Sequence, residues 1–204
     1  HFTFVAERAG TYVVVVDGIN PEGGDLRLLA ISPECSDGKK VHGEGCDDGN
    51  QARGDGCDEN CRVELAGTTV EETEPNDDSY LANVVTANLL EPVNINGRVG
   101  GNSCQPDYFL IRLPSAGLLS AKVSGGAGVA CADAPPMDLA LTAADSFERR
   151  EGVVLAHQAG VNGGCPELAQ ELAAGTYFIK LSRLAVAAQF EYQLQLSLTV
   201  PAAE

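Results

Sequence analysis

The stretch "YQLQLSL", residues 192–198, alternates apolar and polar side chains without a break. Successive side chains of a β-strand point to opposite faces of its sheet, so the apolar members should share one face. That face comprises Tyr192, Leu194, Leu196 and Leu198. The pattern predicts a half-buried strand that covers a core on one side only.

Similar segments recur from about residue 70 onward, separated by turns rich in Gly, Pro and Asp. They are "DYFLIRL" (107–113), "LLSAKVS" (118–124), "DLALTAA" (138–144) and "TYFIKLS" (176–182). Short strands at regular spacing favour two packed sheets. The expected fold class is therefore all-β, with a jelly-roll-like β-sandwich as its main domain.

The charge of the chain restricts its partners. It carries 29 acidic and 13 basic residues among 204, for a formal net charge of -16. Such a surface repels phosphate groups, so we expect neither nucleic acid nor anionic lipid as a partner. Apolar runs such as Val13 to Val16 are too short to span a bilayer, and no membrane insertion is expected.

Catalysis finds no support in the sequence. The three histidines, His1, His42 and His157, lack a Ser or Cys partner in a recognisable nucleophile setting. Glu148 and Glu151 are interpreted as part of a charged surface turn that faces water. We expect a protein that is not an enzyme.

Four of the seven cysteines, Cys35, Cys46, Cys57 and Cys61, are separated by 11, 11 and 4 residues (46 − 35, 57 − 46, 61 − 57). Zinc modules prefer two C-x-x-C pairs or cysteine with histidine, so disulfides in an oxidising, extracellular compartment are favoured over zinc. A bridge between Cys57 and Cys61 would close a strained ring. Two pairings remain open: Cys35–Cys57 with Cys46–Cys61, or Cys35–Cys61 with Cys46–Cys57.

The other three cysteines lie in the later part of the chain. Cys131 and Cys165 are placed in loops that should meet at one edge of the sandwich, and we predict that they form a disulfide. Cys104 is then the odd thiol, either free or joined to another molecule.

An internal repeat suggests the domain organisation. The "AGTY" that begins at Ala9 recurs at Ala174, an offset of 174 − 9 = 165 residues. Residues 1–34 are interpreted as the C-terminal strands of an incomplete β-sandwich, 35–65 as a cysteine-rich connector, and 66–204 as a complete sandwich. The expected partners that complete residues 1–34 are upstream domains of the same chain or neighbouring copies in a tandem array or filament.

Two regions resemble known bacterial families. The stretch "CSDGKKVHGEGCDDGNQARGDGCDENCRVE" (35–64) resembles the cysteine-rich repeat of myxobacterial and other bacterial surface proteins. The segments "EETEPNDDSY", "PDYFLIRLP" and "ELAAGTYFIKL" resemble the pre-peptidase C-terminal domain. That domain is a β-sandwich appended to secreted proteases and surface proteins, and it is related to the collagen-binding domains of clostridial collagenases.

The sharpest candidate site is "ETEPND", residues 72–77, in which four oxygen-bearing side chains fall within six residues. They are Glu72, Glu74, Asn76 and Asp77. Calcium prefers six to eight oxygen ligands in flexible geometry. In the collagen-binding relatives this linker supplies calcium ligands, and the resemblance implies the same role here, with Asp107 added. The family often has an acidic residue where this chain has Cys104. The alternative is a solvated acidic linker.

A second candidate metal site lies in the connector. Its members are Asp47, Asp48, Asn50 and Asp55. The EF-hand pattern fails, because Ala52 and Arg53 occupy positions that need an oxygen and a glycine. The alternative, slightly favoured, is that these side chains stabilise tight turns through their own backbone.

The expected function is a non-catalytic, extracellular or cell-surface module of structural or adhesive type, stiffened by calcium, with an extracellular protein or matrix component as a possible ligand. The alternative is an accessory substrate-binding domain of a secreted hydrolase whose catalytic domain lies outside this chain. The absence of Trp argues against the exposed aromatic platform that such binding would use.

Overall fold

The computed structural model describes residues 34–41, 43–99, 105–126, 136–160, 164–183 and 189–201. The chain divides into two compact units, His1–Ser32 and Pro33–Glu204, and every described residue belongs to the second. The strands predicted within residues 1–33 lie outside the described residues. So do Cys104 and Cys131, and the prediction for the Cys131–Cys165 bridge stays a prediction, although Cys165 is disulfide-bonded.

The described residues form eleven β-strands and no α-helix, which confirms the all-β class. No helix that could cross a membrane is found in this part of the chain. The strands are β1 (Glu64–Leu65), β2 (Thr69–Glu71), β3 (Asn83–Val85), β4 (Val93–Val99), β5 (Asp107–Leu113), β6 (Gly117–Gly125), β7 (Met137–Ala144), β8 (Glu151–Ala159), β9 (Glu167–Leu172), β10 (Gly175–Arg183) and β11 (Phe190–Thr199).

The strands form two mixed sheets. The six-stranded sheet has the order β1-β3-β5-β10-β7-β8, and the five-stranded sheet has the order β2-β4-β11-β6-β9. The pairs β1–β3, β3–β5 and β2–β4 are parallel. The remaining pairs are antiparallel, and among them β7–β8 is the pair whose strands follow each other in the chain.

The core lies between the two sheets. Along β11, buried side chains alternate with more exposed ones from Phe190 to Leu198. This confirms the face predicted from "YQLQLSL". Ile95 of the neighbouring strand β4, and Phe109 of β5 and Leu139 of β7 in the other sheet, are fully buried in the same cluster.

The six-stranded sheet is also covered on its outer face. Val84, Leu110 and Phe178 form a second buried cluster with Tyr108. This explains why β5 does not alternate: six of the seven residues in "DYFLIRL" are buried, since both faces of the strand are covered.

The connector, residues 35–65, is held by two disulfides. The pairs are Cys35–Cys61, with Cα atoms 5.3 Å apart, and Cys46–Cys57, with Cα atoms 5.9 Å apart. This selects the second of the two pairings that the sequence left open. The connector ends in β1, which joins the edge of the six-stranded sheet.

Arg62 fixes the connector to the sandwich. Its side chain is fully buried, with its guanidinium 5.6 Å from the centre of the Phe178 ring. It donates hydrogen bonds to the backbone carbonyls of Tyr80, at 3.3 Å, and Glu148. The connector therefore forms a third layer over the outer face of the sheet.

Charged groups surround this contact. Arg112 of β5 donates to Asp58 of the connector at 3.2 Å and to Glu148 at 2.7 Å. The Arg149 guanidinium donates to the Asn60 side chain at 2.9 Å. The expectation that Glu148 simply faces water is wrong, because its carboxylate also accepts a hydrogen bond from Thr176 at 2.7 Å.

The same correction applies to Glu151. Its carboxylate accepts a hydrogen bond from the Tyr108 hydroxyl at 2.5 Å and lies 3.4 Å from the Lys180 ammonium. The sequence does not reveal these partners, because they lie on other strands of the sheet.

Candidate functional site

The "ETEPND" segment runs from one sheet to the other. The Glu72 backbone N–H donates to the Asn96 carbonyl of the five-stranded sheet at 2.9 Å. Four residues later, the Asn76 carbonyl accepts a hydrogen bond from the Tyr108 N–H of the six-stranded sheet, also at 2.9 Å. Between them, the Asn83 side chain exchanges hydrogen bonds with the Thr73 backbone at 2.7 and 2.9 Å. The backbone of the segment is therefore fixed at both ends.

This path places a set of oxygen-bearing side chains together between the sheets, which we call the acidic cluster. Its members are Glu72, Glu74, Asn76, Asp107 and Tyr192. The Tyr192 hydroxyl donates to Glu72 Oε2 at 2.6 Å, and the Asn76 amide donates to the same oxygen at 3.3 Å. Glu74 accepts a hydrogen bond from the Asn76 backbone N–H at 3.0 Å.

Burial makes the cluster electrostatically unusual. Asp107 is 3% exposed, and this burial, followed by the charge of Glu72, raises the pKa of Asp107 to about 9. Burial also raises the pKa of Glu72, against the opposing effect of the hydrogen bonds from Tyr192 and the Arg98 backbone. The pKa of the Tyr192 hydroxyl lies well above its ordinary value, because of burial and then the charges of Asp107 and Glu72.

Two oxygens of the cluster have no hydrogen-bond partner among the described residues: Asn76 Oδ1 and Asp107 Oδ2. Buried polar atoms are nearly always paired, since leaving one unpaired costs about 1–3 kcal/mol. Carboxylate and amide oxygens are the ligands that calcium prefers, so the donor set fits this ion. Within the described part of the chain, no three acidic, Cys or His side chains converge closely enough to hold a metal by themselves. An ion here would need the Asn76 oxygen as well as the carboxylates.

The structure brings together four of the five residues predicted for this site. Asp77 is half-buried, and it takes part in none of the hydrogen bonds described for the cluster. Sequence reasoning placed Tyr192 in the core and missed its hydroxyl. A buried Tyr usually finds a partner for its hydroxyl, and that rule was the available signal.

Gly97 makes room for this arrangement. A Cβ atom at that position of β4 would lie 2.4 Å from the Tyr192 hydroxyl and 2.6 Å from Glu72 Oε2. Such distances are far inside van der Waals contact. Only glycine allows the tyrosine and the glutamate to meet above this strand.

The cluster borders an open cleft of about 480 Å³ on the five-stranded sheet. Its lining includes Glu71, Asn96, Arg98 and Glu191, in addition to members of the cluster. The cleft gives ions and small polar molecules a route to the cluster from solvent.

Three of the four connector residues predicted as metal ligands, Asp47, Asp48 and Asn50, accept hydrogen bonds from backbone N–H groups. The Asp47 carboxylate accepts hydrogen bonds from the N–H groups of four residues, at 2.8 to 3.3 Å: Ser36, Asp37, Gly38 and Gly49. Partial burial would raise the pKa of Asp47, but these hydrogen bonds outweigh it and lower the pKa below its ordinary value.

The neighbouring side chains behave alike. Asp48 accepts from the Asn50 N–H at 3.3 Å, and Asn50 accepts from the Ala52 N–H at 2.6 Å. The Asn50 amide also donates to Asp55 at 3.1 Å. These bonds match the turn-forming alternative, and metal binding in the connector stays a prediction.

No family model matches the chain, and no curated protein matches it by sequence. Among solved structures, the pre-peptidase C-terminal domain of collagenase from Bacillus anthracis is similar, with 19% identity and a TM-score of 0.40 over 58% of this chain and 94% of that domain. The periplasmic inhibitor of g-type lysozyme from Aeromonas hydrophila has 12% identity and a TM-score of 0.38, over 68% of this chain and 99% of the inhibitor. The mitogen from Yersinia pseudotuberculosis has 11% identity and a TM-score of 0.39, over 56% of this chain and 91% of the mitogen.

Proposed function

We propose that the described unit is a non-catalytic, extracellular structural or adhesive module whose junction between connector and sandwich is stiffened by calcium. The observation that carries the proposal is the acidic cluster, in which buried Asp107 and Asn76 each present an unpaired oxygen. A calcium ion would pair both oxygens and allow Asp107 to ionise.

The position of the cluster gives such an ion a mechanical role. Glu72 is bonded to the five-stranded sheet through its backbone, and Asp107 begins a strand of the six-stranded sheet. A calcium ion bound by both residues would link the two sheets next to the end of the connector. The extracellular location is supported by the two disulfides of the connector, which suit an oxidising compartment.

Thermal unfolding with and without calcium tests the proposal. Extracellular calcium modules bind at about 10⁻⁴ to 10⁻³ M. At about 5 mM calcium, binding to the folded state should then add roughly 1–2 kcal/mol to the free energy of unfolding. For a chain of this size, that corresponds to a rise in Tm of about 2–8 °C over the value in excess chelator.

Two variants locate the effect. Asp107→Asn removes a cluster carboxylate and should abolish the calcium-dependent rise in Tm. Asp47→Asn weakens the hydrogen bonds of the connector, and it should lower Tm equally in chelator and in calcium. An unchanged Tm of the wild-type protein across both conditions would contradict the proposal, and loss of the rise in Asp47→Asn alone would move the site to the connector. The accessory-domain alternative stays a prediction.

A further inference from the structure

β8 forms one edge of the six-stranded sheet in the described part of the chain. Among the described strands, β7 alone pairs with it, and its other side has no partner. The strand is nine residues long. Its middle carries Val153, Val154 and Leu155, which are 73%, 58% and 39% exposed. No charged residue lies between Glu151 and His157.

The other three sheet edges differ from β8. β1 and β2 have only two and three residues. β9 has six residues and places Glu167 and Glu171 on its exposed side. Short length and exposed charge are the usual means by which proteins prevent edge-to-edge pairing. β8 has neither of these features in its apolar segment, so a partner strand could pair with it.

The pairing of β8 with β7 is irregular at this segment. Val153 and Leu155 have no partner in the β7 register, which shifts on either side of Thr142. Such bulges increase the local twist of an edge strand and shorten the stretch that can pair further. A partner strand would therefore pair with about seven of the nine residues, 151–157, and bind weakly.

We propose that this edge pairs antiparallel with β8 of a second copy of the chain, about a two-fold axis at Val154. In that register Val153 lies opposite Leu155 of the partner subunit, and Glu151 lies opposite His157 of the partner subunit. Apolar residues then meet apolar residues in the centre, and a carboxylate lies opposite an imidazole at both ends. Within each copy, Glu151 also contacts Tyr108 and Lys180, and the His157 imidazole lies 2.6 Å from Asp138.

Neighbouring registers lack this complementarity. An axis at Val153 sets Glu151 opposite Leu155 of the partner subunit. An axis at Leu155 sets His157 opposite Val153 of the partner subunit. The two-fold arrangement uses the same patch on both copies and closes on itself, so it produces a dimer and no longer polymer.

Disulfide crosslinking tests the register. Residues that face each other in an antiparallel pair have Cα atoms about 4.5–5.5 Å apart, which is within the range for a disulfide. A Val154→Cys variant should therefore form a covalent dimer on mild oxidation. The matched control is Phe147→Cys, which is more exposed, at 74%. It lies seven residues from the axis (154 − 147). It lies in the turn before β8, so its two copies would be at opposite ends of the paired strands.

We expect at least a tenfold faster dimerisation of Val154→Cys than of Phe147→Cys, with wild-type protein measured in parallel to subtract any contribution from native thiols. Equal rates for the two variants would overturn the proposal. So would a crosslink that joins position 154 to a different residue of the second copy.

Sedimentation equilibrium supplies an independent measurement. The average mass of the wild-type chain should rise with concentration from 21.2 kDa toward twice that value. Val154→Lys places two ammonium groups at the axis and should weaken the dimer at least tenfold. Leu118→Lys, a change of another exposed apolar residue on β6, should leave the dimer unchanged. The proposal would be overturned if the wild-type protein stayed monomeric up to about 1 mM or formed polymers larger than a dimer. It would also be overturned if both lysine variants weakened the dimer equally.

Discussion

Asp107 carries an ionisable group into the interior, where the residue is only 3% exposed. Without a bound cation, this carboxyl group can stay buried in its protonated form, because burial raises the pKa of Asp107 to about 9. The ordinary pKa of an unfolded Asp is about 3.9. At neutral pH the metal-free fold therefore holds a proton that the unfolded chain releases.

The stability of the calcium-free protein should fall as pH rises. Because the folded pKa of Asp107 is the higher one, its contribution is complete below about pH 4 and is lost as pH rises through about 9. The Asp107→Asn variant cannot ionise and lacks this loss. In excess chelator, the free energy of unfolding of the wild type minus that of Asp107→Asn should decrease by a few kcal/mol over this window. Urea unfolding at a series of pH values measures the difference.

Asp77→Asn is the matched control, since Asp77 lies next to the cluster and outside its hydrogen bonds. Its pH profile in chelator should parallel that of the wild type. A wild-type profile parallel to that of Asp107→Asn would show that Asp107 ionises normally in the folded protein.

At the scale of elements, Arg62 is the fully buried side chain among the contacts that join the connector to the six-stranded sheet. Arg62→Met keeps the apolar contact with Phe178 but removes the hydrogen bonds to the Tyr80 and Glu148 carbonyls. It also leaves buried Asp58 with Arg112 as its remaining ion-pair partner among the described residues. Breaking a buried charged contact costs about 3–5 kcal/mol, and we expect a loss of that order in urea unfolding.

Arg98→Met provides the comparison. The Arg98 side chain is 55% exposed and pairs with the equally exposed Glu191. Surface pairs contribute at most about 1 kcal/mol, so this variant should lose little. Similar losses in the two variants would mean that the connector is not anchored through Arg62.

The strands show what a sequence can reveal about elements. β11 was predictable because its alternation reflects one buried face, from Tyr192 to Leu198. The third layer was not predictable from the sequence, because Arg62 and Phe178 are separated by 116 residues (178 − 62). In addition, an isolated Arg beside a disulfide normally indicates a surface position. The cysteine spacing predicted two bridges but left their pairing open for the same reason: spacing limits ring size and does not reveal which loops approach each other.

At the scale of the whole molecule, the connector belongs to the sandwich that follows it. Both lie in the compact unit Pro33–Glu204, and the outer cluster around Phe178 needs the connector as its cover. Deleting residues 34–62, and with them Arg62, should expose Leu110 and Phe178, which are fully buried in the intact unit. We expect strong binding of an apolar dye and aggregation at a temperature at which the parent protein stays soluble.

Deleting residues 1–32 instead provides the control, because it removes the other compact unit as a whole. The remaining chain should keep the parent Tm within about 2 °C and bind no dye. A chain without residues 34–62 that behaved equally well would show that the connector is dispensable for folding.

The site was predictable to a similar extent as the fold. Glu72, Glu74 and Asn76 could be grouped because they are close in sequence, whereas Asp107 was added through a family resemblance. Tyr192 and Gly97 lie on other strands, and their role follows from distances of a few ångströms that only the packed sheets define.

The Cys35–Cys61 bridge also determines how a pulling force would pass through the molecule. The bridge joins two Cα atoms 5.3 Å apart across a sequence separation of 26 residues. Tension applied at residue 34 would cross directly to Cys61, and from there to Arg62 and β1, without straightening the intervening loop. That loop could extend by roughly 90 Å if it were free. The oxidised connector thus does not lengthen under tension. Reduction of the Cys35–Cys61 disulfide would allow the same residues to extend.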